Sequence, residues 1–257
     1  MNKITEDILE LHSMKKYPSQ IFFDGNLELL KKRKISIIGT RKPSKYSRAL
    51  THDLASSLSK RDVCIVSGGA MGIDAIAHLG ATSSNTISVL PCGVDIKYPA
   101  VNKNLLADIQ RDGLLLSQFD IGFRATPWSF VVRNELVVAL GDVLVVAEAE
   151  LGSGSMRSVE FALKMGKEIF VFPQRVGESG ATNKLLEDGK AKAIYDIDQF
   201  CSLFGEIEAK EVKLDDFTLF CKTNPTYDET LKKFPHRVFE AELSGEIKVK
   251  NGLVTLL

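Results

Sequence analysis

The sequence lacks the features that would indicate three common classes of protein. Its four cysteines (Cys64, Cys92, Cys201 and Cys221) form no Cys-x-x-Cys pair, so neither a zinc site nor a disulfide framework is indicated. No apolar run approaches the roughly 20 residues that a membrane span needs. The first twenty residues alternate charged and apolar side chains and have no signal-peptide core. We therefore expect a cytoplasmic protein that does not bind a membrane.

An excess of charge of one sign is also absent, since 33 Lys and Arg residues balance 33 Asp and Glu residues. Proteins that bind nucleic acids often carry a basic excess, so bulk electrostatics give no support to such a function. A local basic patch remains compatible with a neutral total. The chain has no Gly-Lys-Ser/Thr of a Walker loop and no Gly-x-Ser-x-Gly nucleophile elbow. We expect no metal, no cofactor and no catalytic residue.

What the sequence does contain, from Lys34 onward, is a regular alternation of strand and helix patterns. The strand segments, such as KISIIGT, VCIVSG and DVLVVAEA, are nearly continuous apolar runs, which is typical of strands covered by helices on both faces. Helical segments such as SKYSRALTHDLASSLSK show one apolar stripe. The pattern predicts an α/β fold with a doubly wound, mostly parallel sheet, in which ligands bind beyond the carboxyl ends of the strands.

Composition divides the chain into four predicted parts. Residues 1–34 form a short N-terminal extension, and its final run, Lys31-Lys32-Arg33-Lys34, is expected to be a solvated entry to the first strand. Residues 35–205 form the main domain, and the charged residues 206–216 form a linker. Residues 217–257 resemble a small winged helix, with Asn251-Gly252 at the turn of its two-stranded wing.

Three loops fall at predicted carboxyl ends of strands. They are GTRKPSKYSR from Gly39, VSGGAMGIDAIAH from Val66, and EAELGSGSMRS from Glu148. Glycines before a helix N-terminus let an anion approach free N–H groups, although each loop alone fits a tight strand-to-helix turn with a capping serine equally well. A dinucleotide fingerprint is disfavoured, because Ser67 stands at the first glycine position and the loop follows the second strand.

Two clusters of side chains are candidates for chemistry at this edge. Arg41 follows the first strand, where a guanidinium can grip phosphate with two hydrogen bonds. In PWSFVVRNELVVALG, Trp128 and Phe130 precede Arg133, an arrangement suited to stacked bases and a cationic grip on a single strand. The alternative to nucleic-acid contact places Phe130 in the core and Trp128 on the surface.

Two further pairs, Asp74 with His78 and Glu148 with Glu160, are compatible either with general base chemistry or with ordinary structural roles.

Six segments in order and spacing resemble the bacterial DNA-processing protein A (Smf) family over residues 34–195. They are SIIGTR, VSGGAMGIDAIAH, SVLPCGVDIKYPAVNKNLL, GLLLSQF, FVVRNELVVALGDVLVVAEAELGSGSMRSVEFALKMGKEIFVFP and ATNKLLEDGKA. The resemblance implies an extended Rossmann-like domain that binds single-stranded DNA, forms homodimers and loads the RecA recombinase during natural transformation. Members of the family are not known as enzymes.

The resemblance also implies a set of DNA-binding residues. Carried over to this sequence, they are Gly39, Thr40 and Arg41 at the DNA edge, Ser67, Gly68, Gly69 and Gly72 as a backbone cradle for phosphate, Phe130, Arg133 and Asn134 along the strand path, Gly152, Ser153, Gly154 and Ser155 completing the pocket, and Lys164. The chain departs from the family at Gly69 and at Val131-Val132, where the family usually has leucine and Pro-x.

Two other functions compete with this one. The segment LGSGSMRSVE also resembles the glycine-rich loop of nucleoside-monophosphate phosphoribohydrolases, in which Glu160 and Arg133 would act at a ribose and Gly152 to Ser155 would hold one phosphate. That family's loop begins with Pro-Gly-Gly, whereas Ala149-Glu150-Leu151 precedes Gly152 here. The third possibility is a nucleotide-sensing module with a small partner-binding unit.

Overall fold

A nine-stranded sheet organises the first of two units into which the chain divides, residues 1–207 and 208–257. The computed structural model describes residues 2–207, 215–250 and 252–256. The strands of the sheet are β1 (Asn2–Lys3), β2 (Phe22–Gly25), β3 (Lys34–Ile38), β4 (Cys64–Ser67), β5 (Thr86–Val89), β6 (Leu114–Ser117), β7 (Val143–Val146), β8 (Ile169–Val171) and β9 (Lys192–Ala193).

The strand order is β1-β2-β6-β5-β4-β3-β7-β8-β9. The seven strands from β6 to β9 in this order are parallel, and β1 and β2 are antiparallel additions at one edge. The predicted doubly wound, mostly parallel α/β sheet is therefore confirmed. The helices of this unit are α1 (Lys45–Ser59), α2 (Ile73–Ala81), α3 (Lys103–Asp112), α4 (Pro127–Leu140), α5 (Gly154–Lys164), α6 (Gly180–Glu187) and α7 (Ile197–Ser202).

The two faces of the sheet are covered by different helices, and alternate residues of β3 show how. Ile35 and Ile37 are fully buried in a cluster with residues of α1, α2 and α7. Ile38 belongs to the opposite cluster, which contains residues of α4, α5 and α6. Ser36, which lies between Ile35 and Ile37 in the sequence, faces the same side as Ile38. Its Oγ donates a hydrogen bond to the Val137 carbonyl of α4 at 2.6 Å. Every residue of β3 to β7 is buried, which explains the continuous apolar runs of the sequence.

The N-terminal residues are part of the same sheet and core. They contribute β1, β2 and two short 3-10 turns, Leu9–Ser13 and Leu27–Lys31, and Leu11 and Leu29 are buried in the α4 face cluster. Lys34 is also buried, which corrects the expectation of a solvated run. Its Nζ donates to the Leu30 and Lys32 carbonyls and forms a 2.6 Å ion pair with Glu10.

The second unit contains three helices followed by a hairpin. They are α8 (Asp216–Cys221), α9 (Tyr227–Lys233), α10 (Arg237–Leu243), β10 (Ile247–Lys250) and the antiparallel β11 (Leu253–Leu256). Phe217, Cys221, Val238, Ile247 and Val254 are among the residues of its own small core. That this unit is winged-helix-like stays a prediction. Asn251 of the predicted turn and residues 208–214 of the predicted linker lie outside the described residues.

Candidate nucleic-acid interface

The candidate site lies at the carboxyl edge of the sheet, between β3 and β7. The chain runs from β3 outward to β6 and then returns to β7 on the other side of β3, so the strand order reverses here, which is where open α/β sheets bind ligands. A groove of about 730 Å³ occupies this position. Its lining includes Gly39, Thr40, Arg41 and Lys42 after β3, Pro127, Phe130, Val131, Arg133 and Asn134 of α4, and Ser153, Gly154, Ser155, Arg157 and Ser158 around the start of α5.

Arg41 is the exposed cation of the groove that is best placed for a ligand. Its guanidinium carbon lies 5.4 Å from the centroid of the Phe130 ring, within the range of a cation–π contact. Phe130 in turn makes an edge contact with Tyr98 at 5.9 Å between ring centroids. Within the described part of the chain Arg41 forms no ion pair or side-chain hydrogen bond. Its N–H donors therefore remain available to an incoming phosphate.

Arg133 forms the wall of the groove from a buried position. Its side chain is 5% exposed, and Nη1 lies 3.7 Å from Oδ2 of Asp74, which is also buried. Burial lowers the pKa of Arg133, against the opposing effect of Asp74, and burial raises the pKa of Asp74, against the opposing effect of Arg133. Nε of Arg133 has no hydrogen-bond partner among the described residues. The pair supplies a fixed dipole instead of a free positive charge.

The glycines of the VSGGAMG loop allow a neighbouring loop and the Arg133 side chain to pack closely against its backbone. Gly72 has φ of +79°, and a Cβ there would stand 2.4 Å from the Thr40 carbonyl oxygen. That same oxygen accepts a hydrogen bond from the first amide of α2, Ile73 N, at 3.1 Å. A Cβ on Gly68 would overlap the Arg133 guanidinium, 1.0 Å from Nη1. These contacts draw the loops after β3 and β4 together and bring Arg41 and Arg133 to one groove.

Of the predicted phosphate cradle of Ser67, Gly68, Gly69 and Gly72, three residues are occupied by internal contacts and Gly68 lies at a pocket. Ser67 is fully buried and donates from Oγ to the Ile37 carbonyl at 2.7 Å. A Cβ on Gly69 would lie 2.7 Å from Ser88 Oγ. Ser67, Gly69 and Gly72 do not line the groove, whereas Gly68 lines a small adjacent pocket together with Arg41, Phe130 and Arg133. The arrangement favours the other interpretation of this loop, a tight turn between strand and helix.

The start of α5 presents donors to the groove. Gly152 has φ of +76° with open space around it, and it turns the chain so that Ser153, Gly154 and Ser155 face the groove. No hydrogen bond is formed by the amides of Gly154 and Ser155 within the described residues. Ser153 Oγ is a buried side-chain oxygen that is likewise unpaired there. Free amides at a helix N-terminus attract anions.

Lys164 lies at the other end of α5, where it is exposed. Ten residues separate it from the first residue of the helix, which corresponds to about 15 Å along the axis. It is not one of the residues that line the groove. The family resemblance implies that Lys164 binds DNA together with the groove residues, whereas the structure separates it from them.

The residues that suggested enzyme chemistry have structural roles. His78 is fully buried, and its Nδ1 lies 2.7 Å from Thr86 Oγ1, whose hydroxyl donates to the Ile65 carbonyl. His78 is therefore the donor and carries its proton on Nδ1. Burial lowers its pKa to about 3, assisted by the charge of Arg133, so it is a poor base at neutral pH. Glu160 is exposed, pairs with Arg157 at 3.0 Å and does not line the groove.

Several residues that line the groove were not predicted from the sequence. Lys42 and Arg157 add exposed cations, and Pro127 and Val131 add apolar surface. One face of α4 carries four groove residues at helical spacing, namely Pro127, Phe130, Val131 and Asn134. This spacing is visible in the sequence if the helix is taken to begin at the proline.

Among the described residues no cluster of three or more His, Cys, Asp or Glu side chains is arranged to hold a metal. None of the described helices is both long and apolar enough to span a membrane.

The chain is similar in sequence to known DNA processing proteins. The chain is 35% identical over 176 residues to DNA processing protein DprA of Streptococcus pneumoniae, covering 67% of this chain and 62% of the relative. It is 36% identical over 193 residues to the putative DNA processing protein DprA of Mycobacterium tuberculosis H37Rv, covering 73% of this chain and 50% of the relative. The aligned segment thus spans only between half and two thirds of these curated relatives.

Solved structures show the same similarity in three dimensions. The structure of DNA processing protein A from Helicobacter pylori, described as having a unique single-stranded DNA binding mode, is 40% identical with a TM-score of 0.77, covering 79% of this chain and 94% of that chain. The Streptococcus pneumoniae structure is 32% identical with a TM-score of 0.73, covering 80% and 74%. Residues 7–205 match the family model described as DNA recombination-mediator protein A, and the chain belongs to that family.

Proposed function

We propose that this chain binds single-stranded DNA in the groove between β3 and β7, holding the phosphates with cations and free amides and stacking bases on aromatic rings. The observation that carries the proposal is the exposed Arg41 guanidinium, which has no ion pair among the described residues and lies 5.4 Å from Phe130. A cation beside an aromatic ring provides both contacts that a single strand requires. The single-stranded DNA binding attributed to the Helicobacter pylori relative supports this choice of ligand.

The groove favours a run of linked phosphates over a single one. Arg41 and Lys42 lie after β3, whereas the free amides of Gly154 and Ser155 lie at the start of α5. These donors line different walls of a groove of about 730 Å³, so successive phosphates of one strand can use both. Because the contacts are to backbone phosphates and ring faces, we expect little sequence preference and strong dependence on salt.

We propose the cellular role from membership of the family. In this role the protein acts as a homodimer, protects incoming single-stranded DNA during natural transformation and loads the RecA recombinase onto it. It does so without catalysing a reaction. The buried, neutral His78 and the exposed Glu160–Arg157 pair support the last point, because neither is placed to act as a base in the groove.

Arg41→Ala tests the proposal directly. We expect gel shifts of a short single strand to show at least about tenfold weaker binding, since a hydrogen bond to a charged group contributes ~1.5–3 kcal/mol. The slope of log affinity against log salt should fall by about 0.7 for each lost phosphate contact. The matched control is Arg111→Ala, which removes the same charge from the last turn of α3, away from the groove. Equal affinities for Arg41→Ala and the parent protein would refute the site.

Two further measurements separate the alternatives. Lys164→Ala should bind short strands as the parent does, because Lys164 does not line the groove. Release of free adenine from AMP by the purified protein would instead support the phosphoribohydrolase hypothesis. Tight binding of a mononucleotide without binding of a polymer would support the nucleotide-sensing hypothesis.

A further inference from the structure

An aromatic cluster of one buried, one half-buried and one exposed residue lies beside the groove and outside its lining. We call Phe119, Phe123 and Trp128 the aromatic platform. The rings of Phe119 and Phe123 stack with centroids 4.7 Å apart and planes 13° apart. Trp128 stands across both, with centroid distances of 5.5 and 5.6 Å and interplanar angles of 76° and 67°. Edge contacts of this kind favour a defined ring orientation, so the indole is held in place although 54% of the residue is exposed.

The place of Trp128 in α4 puts the aromatic platform next to the groove. Trp128 belongs to the first turn of α4, and its neighbour Pro127 lines the groove, as does Val131 one turn later. A strand that leaves the groove over this turn therefore meets the indole next. The exposed face of the indole is therefore available to a base, while its two phenylalanine neighbours hold its orientation.

We propose that the aromatic platform stacks a base of the single strand at the point where the strand leaves the groove, with Trp128 as the stacking ring. The proposal rests on the proposed function, and it extends the binding path beyond Phe130 to a residue outside the groove. A base is the occupant that fits, because it needs a fixed ring and tolerates the polar surroundings of an exposed helix start. An apolar protein partner is the competing occupant, and the test below distinguishes it.

The experiment uses the fact that Trp128 is the only tryptophan of the chain. The full chain is titrated with oligothymidylates of two to about twelve nucleotides while tryptophan emission is followed. The shortest strands should bind in the groove and leave the emission nearly unchanged. Longer strands should quench it, and affinity should rise at the length at which quenching begins.

Three variants complete the test. Trp128→Ala should bind short strands as the parent does, which shows that it is folded, and should bind long strands about tenfold more weakly because one stacked base is lost. Trp128→Phe should recover most of that loss. The control Leu79→Ala removes an equally exposed apolar side chain from the last turn of α2, at the other edge of the sheet, and should bind both lengths normally.

The outcomes separate this inference from the proposed function. Failure of the parent protein to bind any single strand would overturn both. Binding of long strands with unchanged emission, or with equal affinity in Trp128→Ala, would overturn only the inference. A change in the sedimentation of free Trp128→Ala without a change in strand affinity would assign the aromatic platform to a protein partner and would also overturn it.

Discussion

Acid should destabilise this protein through His78, by an amount that follows from its surroundings. The folded state holds the ring neutral, with a pKa of about 3 caused first by burial and then by Arg133, whereas the unfolded chain titrates near 6.5. Between these values the unfolded state binds more protons, so stability falls as pH falls from 6.5 toward 3. One pH unit corresponds to about 1.4 kcal/mol, and the loss between pH 7 and pH 5 is therefore about 2 kcal/mol.

The assay is urea unfolding of the parent and of His78→Asn at pH 7 and pH 5. Asparagine can retain a donor toward Thr86 and cannot be protonated in this range. The variant should be less stable than the parent at pH 7, because it leaves a small cavity, yet its stability should change by about 2 kcal/mol less on acidification. Other titrating groups are shared by both proteins and cancel in the difference. Equal losses in the two proteins would refute the assignment of a neutral, buried imidazole.

Three substitutions and two control variants test how the groove and its supports are built, each by urea unfolding at pH 7. Gly72→Ala should destabilise by about 2–4 kcal/mol, since φ is +79° and the new Cβ would stand 2.4 Å from a carbonyl oxygen of the neighbouring loop. Gly152→Ala, with a similar φ and open space, should cost only about 1 kcal/mol. Lys34→Met breaks a buried ion pair and should cost about 3 kcal/mol, whereas Lys31→Met at an exposed pair should change stability by less than about 1 kcal/mol. Asp74→Asn leaves a buried guanidinium without its carboxylate and should cost about 3–5 kcal/mol. A loss below about 1 kcal/mol in Gly72→Ala, Lys34→Met or Asp74→Asn would contradict the packing described for that residue.

The sheet was predictable because its strands leave a strong pattern. Strands buried on both faces must be apolar at nearly every position, and β7 reads Val-Leu-Val-Val. The helices between them carry one apolar stripe each, so the alternation alone defines a doubly wound sheet. The edge strands β1 and β2 were missed, because they are short, β1 is exposed and β2 is only partly buried, and neither carries a comparable run of apolar residues.

Two local features of the structure differ from what the sequence pattern predicts, and each difference has a physical reason. The apolar pattern of RNELVVALG by itself predicts a helix that begins at Arg133, whereas α4 begins at Pro127, where the fixed φ of proline suits the first helical position. Lys34 was expected to be solvated with its three basic neighbours. Instead its ammonium group binds the carbonyls at the end of a 3-10 turn and the Glu10 carboxylate, and these long-range partners cannot be identified from the run of charges.

The candidate site was predictable at the level of loops and much less at the level of atoms. Arg41, Phe130 and Ser155 reach the groove as expected, because residues after parallel strands meet at one edge of the sheet. Glycine is ambiguous, since it permits both the approach of a ligand and the approach of the protein's own backbone. At Gly72 the neighbour is the Thr40 carbonyl, a contact that depends on how two loops pack.

Four of the helix N-termini at the carboxyl edge differ in how far the chain's own oxygens occupy them. The Glu148 carboxylate accepts from Ser44 N at the start of α1, and the Glu150 carboxylate accepts from Gly180 N at the start of α6. Thr40 O already accepts from the first amide of α2. The start of α5 differs, because its first two amides face the groove without a partner among the described residues. Since an oxygen at a helix N-terminus occupies the position that a phosphate would take, the chain's own oxygens disfavour phosphate at the starts of α1, α2 and α6, whereas the start of α5 lines the same groove as Arg41 and offers its amides to a phosphate.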